Sequence, residues 1–255
     1  MDLRLPAENL SRYKSLSQQA RVCTEPWGLA NLYCPACESP SIDSLPTNTP
    51  AHDFKCPACY SWFQLKSKAT SFGRRIQDGA FAAMKRAILA DRTPNLFLLQ
   101  YSRPELIVVN VLLFPNFVFT ESILEKRKPL SPKAKRAGWV GCNFLIDQIP
   151  SDARITIVEK GVVMPAAQVR TNYAKLRPLE NLETDARGWT LDVLKIVRSL
   201  GTTDFSLADV YAREDELAKI HPGNRHVRDK IRQQLQVLRD FGLLSFLSPG
   251  NYRLR

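Results

Sequence analysis

The sequence predicts a mixed α/β (α+β) domain over residues 1–181 and a small winged helix-turn-helix over residues 182–255. Three observations carry this. NLFLLQY from Asn95 and LIVVNVLLF from Leu106 are continuous apolar runs, the pattern of strands covered on both faces. Helix-period stretches are interspersed with them, so an α/β or α+β domain around one sheet is expected. Beyond Gly188, three helical stretches precede two short β segments around Ser248-Pro249-Gly250. A chain of 255 residues can bury a large core and a smaller one, and 44% hydrophobic against 24% charged residues is the balance of an ordinary globular protein. The longest apolar runs fall well short of the roughly 20 residues a spanning helix needs, so no membrane partner is expected. The opening MDLRLPAENLSRYK has no apolar signal region and no small-residue cleavage site, which implies a cytoplasmic setting.

Taken in order, Tyr13, Leu16 and Ala20 predict an amphipathic helix from about Leu10 to Arg21. A Cys- and Pro-rich segment from Tyr33 to Cys59 is too polar to pack alone. Strands are expected from Ala51 to Lys55 and from Trp62 to Ser67, joined as a hairpin. IQDGAFAAMKRAILA, Ile76 to Ala90, predicts a helix despite Gly79. CNFLIDQI and ARITIVEKG add two strands to a single sheet. RPLENLETDARG, Arg177 to Gly188, reads as a linker, followed by helices at Trp189 to Leu200, Ser206 to Ile220 and Asn224 to Phe241. LLSFL and NYRLR close the chain as a hairpin.

The strongest chemical signal is Cys34-x2-Cys37-x18-Cys56-x2-Cys59, two CPAC turns that bring four thiolates to one tetrahedral ion. Zinc suits this donor set, and with all four ligands from the protein the site is closed and structural. Disulfides or unrelated buried thiols are the alternatives, disfavoured in a reducing compartment. Cys23 and Cys142 stand apart as ordinary buried thiols.

Interleaved with the second CPAC are Asp53, Gln64 and Lys66. Alternate strand residues share a face, so Gln64 and Lys66 point to one side, where Asp53 on the neighbouring strand can meet them. Leu65 faces the core, with its carbonyl still able to reach an ion. Oxygen donors with a lysine are what metal-assisted phosphodiester hydrolysis uses. Triples of this kind also arise by chance on hairpins that do no chemistry.

The net charge of +11 favours a polyanionic partner. From Lys126 to Arg136 six cations run without an acid, either a phosphate-gripping loop or a solvated face. In the C-terminal module, His226, Arg228, Lys230, Arg232 and Gln233 fall near the start of the third helix, where a recognition helix meets base edges. Val227, Ile231, Leu235 and Leu238 form its expected buried stripe. With twelve Lys plus Arg against nine Asp plus Glu from Asp185 onward, a protein-interaction winged helix stays open.

DFKCPACYSWFQLKSK from Asp53, LSPKAKRAGWVGCN from Leu130, RGWTLDVL from Arg187 and KIRQQLQVLRD from Lys230, in that order, resemble the DpnI-type methyl-directed restriction endonucleases. The resemblance spans nearly the whole chain. It implies a PD-(D/E)xK nuclease domain with a structural zinc knuckle, then a winged helix, acting on double-stranded DNA that carries N6-methyladenine in GATC. It makes Asp53 the Mg²⁺-binding acid, with Gln64 and the Leu65 carbonyl beside it, and Lys66 the active-site lysine assisting in-line attack of water. Gln64 departs from the pattern, which has an acid there. Lys133, Lys135 and Arg136 would grip phosphates while Trp139 touches the methyl, unless Trp139 is an ordinary core residue. A monomer in solution is expected. A non-catalytic zinc and winged-helix regulator that senses adenine methylation is the competing reading, kept open by Gln64.

Overall fold

The computed structural model describes every residue except Asn9, Thr47, Asn48, Pro50 and Ala51. In chain order it runs through α1 (Leu16–Asn31), β1 (Asp43–Ser44), β2 (Phe54–Lys55), β3 (Trp62–Lys68), β4 (Arg75–Ala80), α2 (Phe81–Leu89), β5 (Asn95–Ser102) and β6 (Ile107–Phe114). It continues with β7 (Leu124–Lys126), β8 (Gly141–Leu145), β9 (Ile155–Glu159), β10 (Val162–Val163), α3 (Ala166–Leu176) and α4 (Thr184–Ser199). The last elements are β11 (Asp204–Ser206), α5 (Leu207–Tyr211), α6 (Glu214–Ile220), α7 (Val227–Asp240), β12 (Leu244–Ser248) and β13 (Asn251–Leu254). Contacts gather these into two units, one of Met1–Arg74, Arg92–Asn116 and Arg154–Ala174, the other of Arg75–Asp91, Phe117–Ala153 and Lys175–Arg255. No helix among the described residues is long and apolar enough to cross a membrane.

The first unit is built on a seven-stranded sheet in the order β1-β2-β3-β5-β6-β9-β10. β3 and β5 pair in parallel, Phe63 opposite Asn95, and the remaining pairs are antiparallel. Leu96 to Leu99 on β5 are all buried, as their uninterrupted apolar run implies. Phe63 and Phe97 stack 5.2 Å apart in the core between neighbouring strands. The one polar residue at the start of β5, Asn95, is also buried but hydrogen-bonded through both ends of its amide. Its amide donates to the Trp62 carbonyl at 3.2 Å, and its oxygen accepts from the Asn116 N–H and the Tyr173 hydroxyl, both at 3.0 Å. The expected strand from Ala51 is β2, Phe54–Lys55; Ala51 itself lies outside the described residues.

The N-terminal helix corrects the sequence reading. A 3₁₀ turn occupies Leu10–Arg12, and α1 begins at Leu16 and runs on through Pro26 and Gly28 to Asn31. Both residues read as breakers, yet Cys23, Thr24, Trp27 and Gly28 form a buried stripe whose packing outweighs them. Gly28 marks a close approach: a Cβ there would meet the Leu65, Phe54 and Leu32 side chains at 3.2–3.3 Å, and they would have to give way by a few tenths of an ångström.

The second unit holds two three-stranded sheets, β4-β8-β7 and β11-β13-β12, so the single sheet expected before the linker is in fact two. The helix expected from Ile76 starts only at Phe81. Before it, β4 pairs with β8, Ile76 opposite Phe144, and a bulge at Gly79 turns the chain into α2. The expected linker is structured too. Arg177–Asn181 is a 3₁₀ helix that accepts Pro178 in its first turn, and α4 starts at Thr184 with Arg187 and Gly188 buried. The expected helix from Ser206 to Ile220 is divided into α5 and α6, with Ser206 and Asp209 forming a capping box. β11, not anticipated, pairs with β13 beside the terminal hairpin.

Arg187 is 1% exposed, and its guanidinium meets Asp91 at 2.6 and 3.3 Å within the same unit. Its Nε has no partner among the described residues, so the carboxylate is the main compensation for a buried charge. Asp91 sits at φ 53°, which Asn also tolerates. Asp91→Asn is therefore expected to lower stability by about 1–3 kcal/mol through the uncompensated guanidinium, read as a shift of the urea unfolding midpoint.

Candidate active site, metal centre and nucleic-acid interface

In the first unit, Asp53, Gln64, Leu65 and Lys66 line one cavity of about 850 Å³. The hairpin places them there. β2 and β3 pair with Phe54 opposite Phe63 and Lys55 opposite Trp62, and the Asp53 N–H donates to the Phe63 carbonyl at 2.8 Å. That register sets Asp53 just before β2, across from the middle of β3. The Leu65 N–H donates to Asp53 Oδ2 at 2.8 Å, fixing the carboxylate through one oxygen. Leu65 is half-buried, its side chain turned toward Gly28 of α1. Trp62 lies on the same strand face as Gln64 and Lys66 by alternation, and His52 meets its ring edge-on at 4.9 Å.

Helix α1 adds residues to the cavity that strand-based reasoning missed: Gln18, Arg21 and Glu25. Burial pushes the Glu25 carboxyl above its ordinary range, the Arg21 guanidinium draws it down, and the Asp53 charge pushes it up again. Two acids thus face one space. The missed signal was Glu25 three residues before Gly28, on the helix face that meets β3.

The four cysteines of the two CPAC turns come together as a single cluster, all sulfur atoms within 4.8 Å of one another. Cys34 to Cys59 and Cys37 to Cys56 are 3.5 Å apart, far beyond a disulfide bond of about 2 Å. Four thiolates about 2.3 Å from a tetrahedral zinc lie roughly 3.8 Å apart, so the cluster could hold such an ion. Burial pushes the Cys56 thiol up, but the N–H groups of Cys59 and Ala58 and the neighbouring thiols outweigh it and bring it to about 6. Burial pushes the Cys34 thiol up. Arg170 of α3, which the sequence did not single out, pins the first turn by donating to the Cys34 carbonyl at 3.2 Å and the Ser39 carbonyl at 2.9 Å. Cys23 and Cys142 are buried and outside the cluster.

In the second unit, the cationic run is the connection from β7 to β8. Lys133, Lys135 and Arg136 are exposed, and the loop is closed by Leu130 and Trp139, whose backbones bond at 2.9 Å. Trp139 is half-buried, with the Arg136 guanidinium 4.7 Å from its ring. Its ring also lies 2.7 Å from where a Gly141 Cβ would sit, so Gly141 is needed for that pose. On α7, His226 is the N-cap residue, and Arg228, Arg232 and Gln233 are exposed while Lys230 is half-buried. The buried stripe is Ile231, Gln234, Leu235 and Leu238, with Val227 only half-buried. Gln234 replaces the expected Val227 because the Thr190 hydroxyl donates to its oxygen at 2.6 Å, satisfying it in the core. Arg228 is held by Glu214 at 2.6 and 2.8 Å. Arg232 lies against the Tyr211 ring.

Two family models match the chain. Residues 1–182 match the DpnI model, described as the Dam-replacing family, and residues 185–254 match its C-terminal companion, the Dam-replacing HTH domain.

Two outcomes are expected at the cysteine cluster. Cys56→Ser should abolish stoichiometric metal retention, measured as zinc released per chain to a chromogenic chelator, and lower the melting temperature. Arg170→Ala should keep the four thiols but speed metal loss to a chelator, since only the support of the first turn is removed.

Proposed function

We propose, from the premise that the chain belongs to the Dam-replacing, DpnI-type family, that it is a Mg²⁺-dependent type II restriction endonuclease. It cuts double-stranded DNA carrying N6-methyladenine in GATC. Residues 1–181 would form a PD-(D/E)xK nuclease region steadied by structural zinc, and residues 182–255 a winged-helix reading domain. The observation that carries the reading is the meeting of Asp53, Gln64 and Lys66 at one cavity on a hairpin.

The donors fit a hard divalent cation: a carboxylate with one oxygen occupied by the Leu65 N–H, an amide and a backbone carbonyl. Asp53, Gln64 and the Leu65 carbonyl would hold it. When bound, the cation supplies positive charge against the charge that develops on the scissile phosphate. Lys66 carries a donor and a positive charge to the same cavity, where its ammonium can hold the attacking water and a phosphate oxygen. Asp53, anchored by Leu65, keeps a fixed orientation through the step. Gln64 contributes an oxygen but no charge.

Sequence reading falls to two surfaces. Lys133, Lys135 and Arg136 grip phosphates, and the Trp139 ring supplies the apolar contact a methyl requires, since a methyl forms no hydrogen bond. In α7, Lys230, Arg232 and Gln233 are the base-reading candidates with His226 at the helix start. Arg228 must leave Glu214 before it can take part. The neutral Gln64 favours one second reading, a non-catalytic regulator that binds adenine-methylated DNA.

Incubation of methylated and unmethylated GATC plasmids with Mg²⁺ separates these, and methyl-dependent cutting is the expected result. Tight methyl-specific binding without cutting would favour the regulator. Lys66→Ala should slow cleavage by about 100-fold or more, and wild-type speed would refute its role. Trp139→Ala should weaken binding to methylated duplex more than to unmethylated duplex; equal loss on both refutes methyl sensing.

A further inference from the structure

With Gln64 neutral, the strand residues offer a divalent cation a single carboxylate, Asp53. Resting on the nuclease reading, we propose that Glu25 of α1 is the second acid, a cation-holding residue that restores the negative charge absent at position 64.

Three features on the helix support this. Glu25 lines the same cavity as Asp53, Gln64 and Lys66. It lies three residues before Gly28, so the two share a face, and Gly28 is where α1 comes within van der Waals reach of Leu65 on β3. Gly28 seats α1 closely on the Leu65 side chain, and the cavity lined by Glu25, Asp53, Gln64 and Lys66 opens beside that contact. Arg21, one turn earlier, donates to Glu25 Oε1 at 2.7 Å, and Oε2 has no hydrogen-bond partner among the described residues. Asp53 is arranged the same way, with Oδ2 accepting from Leu65. Among the described residues, then, each acid is anchored through one oxygen.

Two carboxylates facing one cavity repel each other, Arg21 offsets part of that at Glu25, and a bound cation would offset the rest. Hard oxygens in that number and charge suit Mg²⁺ or Mn²⁺, whose affinity follows the charge count of the ligands. A helix ion pair with no further role would have the same Arg21 contact, so the test must read the cation directly.

Mn²⁺ binding to the full, zinc-loaded chain is measured by electron paramagnetic resonance for wild type, Glu25→Gln, Gln64→Glu and the double variant, with cleavage of methylated GATC duplex followed in parallel. Glu25→Gln should weaken Mn²⁺ binding by about tenfold or more. Gln64→Glu should tighten it, and the double variant should return toward wild type. Should Glu25→Gln fail to fold, Glu25→Asp, which keeps the charge but shortens the reach, should bind Mn²⁺ more weakly at an unchanged melting temperature. Wild-type Mn²⁺ affinity in Glu25→Gln, or in Glu25→Asp if that variant is the one used, overturns the proposal while leaving cleavage, and with it the nuclease reading, intact. Mn²⁺ held through Glu25 without any cleavage sinks the nuclease reading and keeps the carboxylate assignment. A wild-type chain that binds no Mn²⁺ overturns both.

Discussion

The register of β2 against β3 is the constraint on which the candidate active site depends. Side chains on a strand alternate, so a slip of one residue would turn Gln64 and Lys66 to the opposite face and take them from Asp53. β2 is only two residues long, too short to hold that register by its own ladder. The connection after it carries Cys56 and Cys59, which cluster with Cys34 and Cys37 from a segment more than fifteen residues earlier. An ion held by four thiolates would close the hairpin from its turn, and Arg170 steadies the far side of that cluster. The cysteine cluster and the catalytic candidates lie on one hairpin, so an ion bound at the first would support the second.

Helix α1 is the other wall of the cavity, and its composition looks poor for the task. Pro26 removes a backbone donor in its interior, and Gly28 weakens it further. Burial of Cys23, Thr24, Trp27 and Gly28 against the sheet offsets both. The glycine that costs the helix propensity is the same one that lets it approach β3.

In the second unit, the candidate reading surfaces follow a similar logic at lower density. Gly141 admits the Trp139 ring, and Arg136 covers its face, so the indole is held half-exposed beside the cationic loop. On α7 a buried Gln234 is tolerated because Thr190 satisfies it, which leaves Arg232 and Gln233 outward. Glu214 already pairs with Arg228, so exposure alone overstates how many cations on this helix are ready for a phosphate or base.

What the sequence determined by itself were features written in spacing and period: the two CPAC turns, the hairpin bearing Asp53, Gln64 and Lys66, the apolar strands β5 and β6, and α7 with the terminal hairpin of the C-terminal module. Each depends on residues close in the chain, whose geometry is set by local covalent and hydrogen-bond rules. Tertiary structure alone decided the rest. It extended α1 through Pro26, made Arg75–Ala80 a strand by pairing it with β8, folded the supposed linker around Arg187, and brought Glu25 and Arg170 to the two sites. These outcomes turn on partners dozens of residues away, and burial against such partners outweighs the roughly 1–3 kcal/mol by which a glycine or proline biases its own neighbourhood.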